Sequence, residues 1–301
     1  KLGDPTNWFS YRGIAEDSYA VTVGSDGDFT GASTCLGYVL FFKENCIHKL
    51  YGSKPSDFQL SAIRCRGVAR NASRSLCVLN ETLYYLSPDG VMAWDGSIPT
   101  KVSTALDPAR LRNVKSALGG ALDGRYYLHL VRGSGEAQTV RLLVYDTERG
   151  LWQEENGCSY EMASTGGQLY LWDGADIWAA DPSRESDWQT TEGVEATIPF
   201  ELITGDIGLD GAEDRYLSRL TLRLDADCAS TVALEVSYDG GGWEPVAAWQ
   251  VSGQRKNFDQ SFVPRRCSTL RLRLRGEGQI TLRSLARTIA SARGGILEQE
   301  V

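Results

Sequence analysis

Four aromatic-rich segments recur through the first two thirds of this chain at a nearly constant spacing. That rhythm limits its fold more than any other feature. The segments are "YVLFFKENCIHKLYG" (38–52), "TLYYLSPDGVMAWDG" (82–96), "RYYLHLVRGSGEAQTVRLLVYDTERGLW" (125–152) and "QLYLWDGADIWAAD" (168–181). Aligned on the second aromatic of each core, they place Phe42, Tyr85, Tyr127 and Tyr170 at intervals of 43, 42 and 43 residues. Each unit holds a β-rich run, a polar turn and a second β-rich run, which is a hairpin pattern. In the second unit the turn is Pro88-Asp89-Gly90; in the fourth it is Asp173-Gly174-Ala175-Asp176; in the third it grows to a polar loop over 132–139. A period of about 40–45 residues carrying four short strands is the signature of a β-propeller.

Helical periodicity is weak in this region. Only "DPARLRNVKSAL" (107–118) offers a helix start, with Asp107 at the N-cap and Pro108 in the first turn. Residues 1–192 hold four units and a remainder, at the low end of the roughly four to eight blades that close a propeller. The opening "NWFSYRGIAEDSYAVTVGSDGDFTG" (7–31) reads as the rest of a split blade. The chain starts at Lys1 rather than Met, as a fragment or processed product would.

The beat stops after "DWQTTEG" (187–193), and strict alternation replaces it. "RLTLRLD" (219–225), "VALEVSYD" (232–239), "TLRLRLRG" (269–276) and "ITLRSLARTI" (280–289) each put leucines or valines on one face. Period two is the mark of half-buried strands. "SYDGGGWEPV" (237–246) supplies a hairpin turn at Asp239–Gly242. It resembles the sialidase Asp-box, itself a turn stabiliser, but is one residue short before the Trp. The expected fold class is therefore all-β: β-propeller-like repeats over 1–192, an antiparallel β-sandwich of jelly-roll type over 193–290, and a linker or loose tail over 291–301.

Charge and chemistry narrow the function. Net charge is −8, which gives no general attraction to nucleic acid. No apolar run approaches the about 20 residues of a membrane helix. The seven cysteines are odd in number and lack a CxxC pair, so they read as reduced, mostly buried thiols. The two histidines, His48 and His129, sit in apolar runs as strand residues rather than ligands. Asp26 and Asp28 have part of a calcium-loop spacing but lack its remaining oxygens, and fit a Gly-rich turn. The turn aspartates Asp89, Asp95, Asp146, Asp173 and Asp181 fit hairpin caps before acid–base chemistry. No nucleophile elbow, phosphate loop or zinc-binding motif stands in a suitable context, and no cofactor is expected.

One charge feature stands out. Residues 260–293 carry eight arginines against Glu277 alone. Arg271, Arg273 and Arg275 alternate with leucines, and Arg219 and Arg223 join them if their strands are neighbours. This face is a candidate docking surface for an acidic partner. It is also the kind of charged face that keeps a sheet edge from aggregating.

Taken together, "AVTVGSDGDFTGASTCLGYVLFFKENCIHKLYG", "YYLSPDGVMAWDG", "LLVYDTERGLWQEE", "DRYLSRLTLRL" and "VPRRCSTLRLRLRGEGQITL" resemble a family of tailed-bacteriophage and prophage structural proteins over roughly residues 7–290. The resemblance implies a non-enzymatic rigid scaffold in a virion. It implies other virion or tail proteins as partners, with the host bacterial cytoplasm as the site of assembly. No catalytic residue comes with it. The alternative is a carbohydrate-binding, receptor-recognising module using Trp172, Trp178 and Trp243 as glycan platforms, with Trp188 and Trp249 as further candidates. A propeller glycosidase is a third reading and rests on fold analogy alone.

Overall fold

The computed structural model describes residues 21–54, 57–133, 138–155, 161–181, 186–189, 194–197, 199–209, 215–291 and 296–300. The chain divides into two compact units, Lys1–Pro182 and Ser183–Val301.

The first unit is a series of antiparallel sheets whose strands follow chain order. β1 (Gly31–Cys35), β2 (Tyr38–Lys43), β3 (Cys46–Tyr51) and β4 (Gln59–Ile63) form the first. β5 (Cys77–Leu79), β6 (Thr82–Ser87), β7 (Gly90–Trp94) and β8 (Thr100–Lys101) form the second. β9 (Val114–Leu122), β10 (Arg125–Arg132), β11 (Thr139–Asp146) and β12 (Leu151–Glu155) form the third. β13 (Glu161–Thr165), β14 (Gln168–Trp172) and β15 (Ile177–Ala179) form the fourth. These are β-propeller-like blades.

The repeat is kept in backbone conformation at the turn that opens each blade. Leu36-Gly37, Asn80-Glu81, Asp123-Gly124 and Gly166-Gly167 each link the first two strands, and all eight residues have positive φ. Two positive-φ residues make the type I′ turn that matches the twist of a hairpin. The turns begin 44, 43 and 43 residues apart. Counted from them, the aromatic alignment slips: Tyr127 and Tyr170 are third past the turn, Tyr85 is fourth and Phe42 is fifth. The residues third past the turn are Leu40, Tyr84, Tyr127 and Tyr170.

Successive sheets stack face on face. Phe42 of the first meets Tyr85 of the second at 5.3 Å between ring centroids, and Tyr84 of the second stacks on Tyr126 of the third at 5.3 Å. Tyr127 of the third packs with Leu169 and Met162 of the fourth. The ring ends reach polar groups, as burial requires. Tyr85 donates to the Arg66 carbonyl at 2.7 Å and Tyr126 to the Ser75 carbonyl at 2.8 Å. Gly119 and Gly120, on opposite faces of β9, let both neighbours approach. A Cβ on Gly119 would lie 2.2 Å from the Ser75 carbonyl oxygen, and one on Gly120 2.6 Å from Leu169. Even Lys49 is buried here, its ammonium 3.7 Å from the Tyr38 ring centroid and within 5.6 Å of that of Trp94.

The expected helix over 107–118 is reduced to a short 3-10 turn, Pro108–Leu111. Asp107 caps it through the Ala109 N–H at 2.9 Å. Beyond it the chain runs as β9, because pairing with β10 over eight residues outweighs a weak local helix preference. Of the supposed split blade, residues 7–20 lie outside the described set. Residues 21–30 run along the first sheet, with the Thr30 N–H donating to Phe42 O at 2.8 Å.

In the second unit β16 (Ser186–Gln189) and β17 (Val194–Thr197) form a hairpin. The remaining strands are β18 (Pro199–Ile203), β19 (Ile207–Gly208), β20 (Arg215–Tyr238), β21 (Glu244–Ser261), β22 (Thr269–Glu277), β23 (Ile280–Ser291) and β24 (Ile296–Glu300). They join in one seven-stranded sheet. β20 is its spine. The 24-residue strand pairs with β21 along one edge and with β23 and then β22 along the other. Register shifts between Leu224 and Ser230 mark where it changes partner. The alternating runs at 219–225 and 232–239 are thus two halves of one strand. Leu220, Leu222, Leu224, Val232, Leu234, Val236, Leu270, Leu272 and Leu274 are all buried in one core. Each such side chain stabilises by about 1.5–3 kcal/mol. Ile296–Glu300, expected as a loose tail, pairs with β23.

Candidate functional site

The arginines on β22 share a face, as the alternation required, but that face is not a free cationic surface. Arg273 and Arg275 both close on the buried carboxylate of Glu235, directly across on β20. Arg275 is 2.6 Å from it, and Arg273 also reaches Glu201 at 3.4 Å. Arg271 lies 3.5 Å from Asp206. Three guanidinium groups thus meet three carboxylates. Arg219 and Arg223 do not join the set: their half of β20 pairs with β21 and β23, not β22. Arg219 is bound to Asp259 at 2.6 Å and Arg223 to Asn257 at 3.2 Å. Thr221 and Arg219 hold the Asp259 carboxyl below its usual range. The sequence count missed this neutralisation because the partners lie up to 72 residues away.

The tryptophans separate as well. Trp172 is exposed on β14 beside Tyr170. Trp178 pairs opposite Leu171, on the other face of the same sheet, and its indole N–H donates to Asp173 at 3.0 Å. Trp243, in the second unit, is half-buried with the Arg273 guanidinium 4.5 Å from its ring centroid. Trp249 meets Phe258 at a tilt, 5.3 Å between centroids, both packed partly buried against the core. The side chain of Trp188 lies outside the described residues. Within the first unit Trp172 and Trp178 thus share no face, and within the second Trp243 and Trp249 keep separate partners.

Four of the turn aspartates are held at their turns. Asp173 accepts the N–H groups of Ala175 and Asp176 at 2.9 and 2.8 Å, which with the Trp178 indole hold its carboxyl below the normal range. Asp146 does the same for Glu148 and Arg149, and the Arg149 backbone bond leads the depression of its pKa. Asp89 pairs with Arg66 at 2.6 Å and Asp95 accepts from Ser97. A depressed carboxyl carries no proton at neutral pH and cannot act as a general acid there. Asp26 and Asp28 follow a residue already tied down elsewhere: the Lys43 ammonium donates to the Ser25 carbonyl at 2.5 Å. Among the described residues no three His, Cys, Asp or Glu side chains gather to hold a metal ion. None of the described helices is long and apolar enough to cross a membrane.

Sequence reasoning missed a cleft in the second unit. About 480 Å³ of space opens where the ends of β20 and β21 meet the segment after β21. Tyr238, Phe262, Pro245 and Val246 give it apolar walls; Gln260, Glu244 and Arg265 give it polar ones. Arg265 donates to both Glu244 oxygens, at 2.8 and 2.9 Å, and its guanidinium lies 4.3 Å from the centroid of the Tyr238 ring. That pairing raises the Arg265 pKa, while burial raises that of the Tyr238 phenol, so the fork is fixed and charged and the hydroxyl stays neutral. Asp239 anchors the wall from behind, accepting the N–H groups of Ser268 and Thr269 at 2.7 and 3.0 Å. The "SYDGGGW" turn is therefore a local brace for the cleft. Its spacing was legible in the sequence; the convergence of Arg265 on Glu244 was not.

No family model and no curated protein matches the chain. Solved structures with loosely similar architecture include glycoside hydrolases. One is an exo-β-1,3-galactanase from Phanerochaete chrysosporium with galactose, at 9% identity and TM-score 0.29, with 81% of this chain and 78% of that one covered. Another is a Bombyx mori GH32 β-fructofuranosidase, at 8% and 0.28, with 91% and 86% covered. A third is a family 43 arabinoxylan arabinofuranohydrolase from Bacillus subtilis, at 7% and 0.20, with 84% and 78% covered. The expectation of a non-enzymatic virion scaffold is corrected here. The structures named above are glycoside hydrolases, and no family model or curated protein ties the chain to virion proteins. Superpositions this loose assign no residue of this chain a role.

Proposed function

We propose that the protein recognises carbohydrate, and that the cleft of the second unit holds the sugar. The observation that carries this reading is the composition of that cleft. Its volume of about 480 Å³ falls in the range of small-molecule sites. A sugar ring presents both C–H faces and a rim of hydroxyls. Tyr238 and Phe262 offer the aromatic surface that C–H faces favour. Glu244, Arg265 and Gln260 offer paired acceptors and donors at its edge. The Glu244–Arg265 fork is held before any ligand arrives, so little side-chain order is lost on binding. The exposed rim makes Arg265→Ala and Glu244→Gln suitable variants, since neither is part of the buried core.

The test is a glycan array, followed by calorimetry on any hit. The expected result is a saccharide whose affinity falls about tenfold in either variant, the scale of one lost charge-assisted hydrogen bond. No hit above background, or a hit that both variants leave unchanged, overturns the reading. Mass spectrometry of the bound glycan after incubation then distinguishes binding from turnover.

A further inference from the structure

The stacking rule of the first unit predicts how the exposed face of its last sheet is used. Third and fifth past the turn in each blade stand Leu40 and Phe42, Tyr84 and Leu86, Tyr127 and His129, and Tyr170 and Trp172. In the first three sheets this face is buried beneath the sheet that follows. In the fourth, Tyr170 is 38% exposed, Trp172 46%, and Ile177, directly opposite Trp172 on β15, 74%. Ala163 and Ala179 flank Tyr170, leaving the rings proud of a low surface. Among the described residues neither ring stacks on another aromatic. The other end of the series is treated differently. The outer face of the first sheet is partly covered by its own chain: Phe29, itself 55% exposed, meets Phe41 at 6.1 Å and His48 at 5.9 Å, and Ser25 bonds His48 at 2.8 Å.

We propose that the fourth sheet is a self-association surface, packed face to face against the same sheet of a second copy. Continuity with the three internal junctions argues for a β-sheet as the occupant, since each of these faces elsewhere takes one. The partial cap on the first sheet argues against head-to-tail stacking, because Phe29 and Ser25 stand over His48 where an incoming sheet would have to lie. Like faces that meet close a two-fold pair, the commonest oligomer symmetry. Three short strands cover only roughly 10 by 16 Å, from strand spacing and rise. That is below a standard interface, so the pair is weak and concentration-dependent.

Sedimentation velocity of the full chain from about 1 to 200 μM tests this, a range suited to weak pairs. The wild type is expected to move from monomer towards dimer. Ile177→Lys and Trp172→Ser, both at exposed positions, are expected to weaken the dimer at least about tenfold, as for a central interface residue. Circular dichroism confirms that the variants fold. A monomer at every concentration overturns the proposal and gives the face to another segment or partner. A dimer that survives both variants overturns it by placing the contact elsewhere.

Discussion

The two units solve the same problem, burying one side of a β-strand, in opposite ways. In the first, sheets stack on one another, so the inner strands of the second and third are covered on both faces. β6 reads Thr-Leu-Tyr-Tyr-Leu-Ser and β10 holds five consecutive buried residues from Tyr126 to Leu130. In the second, one sheet keeps its leucines inward and its arginines outward, and the outward residues pair with acids on neighbouring strands. The first arrangement depends on steric fit between backbones and rings. The second depends on register, which brings Arg273 opposite Glu235. Substitutions that test fit should hurt one unit, and substitutions that test charge pairing the other.

Gly119→Ala should produce the largest effect. The added methyl meets backbone rather than a side chain that could swing away. Urea unfolding is expected to show a loss of about 3 kcal/mol, at the upper end for overpacking. An equally stable variant would mean that the second and third sheets are less tightly joined than the distances indicate. Glu235→Ala comes next. It strands the half-buried Arg273 beside Arg275 without their shared carboxylate, and about 2 kcal/mol should be lost, scaled down from a fully buried pair because Arg275 is half exposed. Adding 0.5 M salt should leave most of that loss in place, because Glu235 is buried. Full recovery in salt would place the pair at the surface. Glu81→Gly should go the other way. Glu81 sits at φ 61° in an exposed type I′ turn. Relief of that conformation outweighs the extra freedom of glycine, for a gain of about 0.5 kcal/mol. A loss would show that the turn tolerates the side chain at no cost.

What the sequence could show follows from this contrast. The 43-residue beat was visible because each blade repeats an aromatic-rich strand followed by a polar turn, such as Pro88-Asp89-Gly90. The phase of the aromatics was not, because faces buried on both sides carry no alternation to lock it. That is why Phe42, Tyr85 and Tyr127 lined up by spacing yet occupy different offsets from their turns. In the second unit alternation revealed the buried leucines directly. It could not reveal that β20 runs unbroken through both halves, nor which acids face the arginines, since both are settled by pairing across long loops. The cleft was invisible for the same reason: Glu244 and Arg265 meet only when β21 is folded back. The three tryptophans, chosen by residue type, scattered across two faces of one sheet and a second unit.

The smallest effect concerns the cap on the first sheet. His48 is buried, with Ser25, Cys46 and the Phe29 and Phe41 rings around it and Lys43 nearby. Burial first, and the Lys43 charge second, lower its pKa below the usual 6.5. The unfolded chain therefore takes up a proton at His48 at a higher pH than the folded one does. Above about 6.5, the ordinary value for an unfolded histidine, neither state is charged there and the full stability is present. As pH falls below that value the unfolded state is favoured, and stability declines until the folded-state pKa is passed. The depressed aspartates lose their contribution only at more acid pH, so the window is separate. Urea midpoints measured from pH 7.5 to 5.5 should fall for the wild type and stay flatter for His48→Gln. The slope is the readout, because the substitution also changes the absolute level. Parallel slopes would show that the cap opens readily enough for His48 to titrate in the folded protein as it does in the unfolded one.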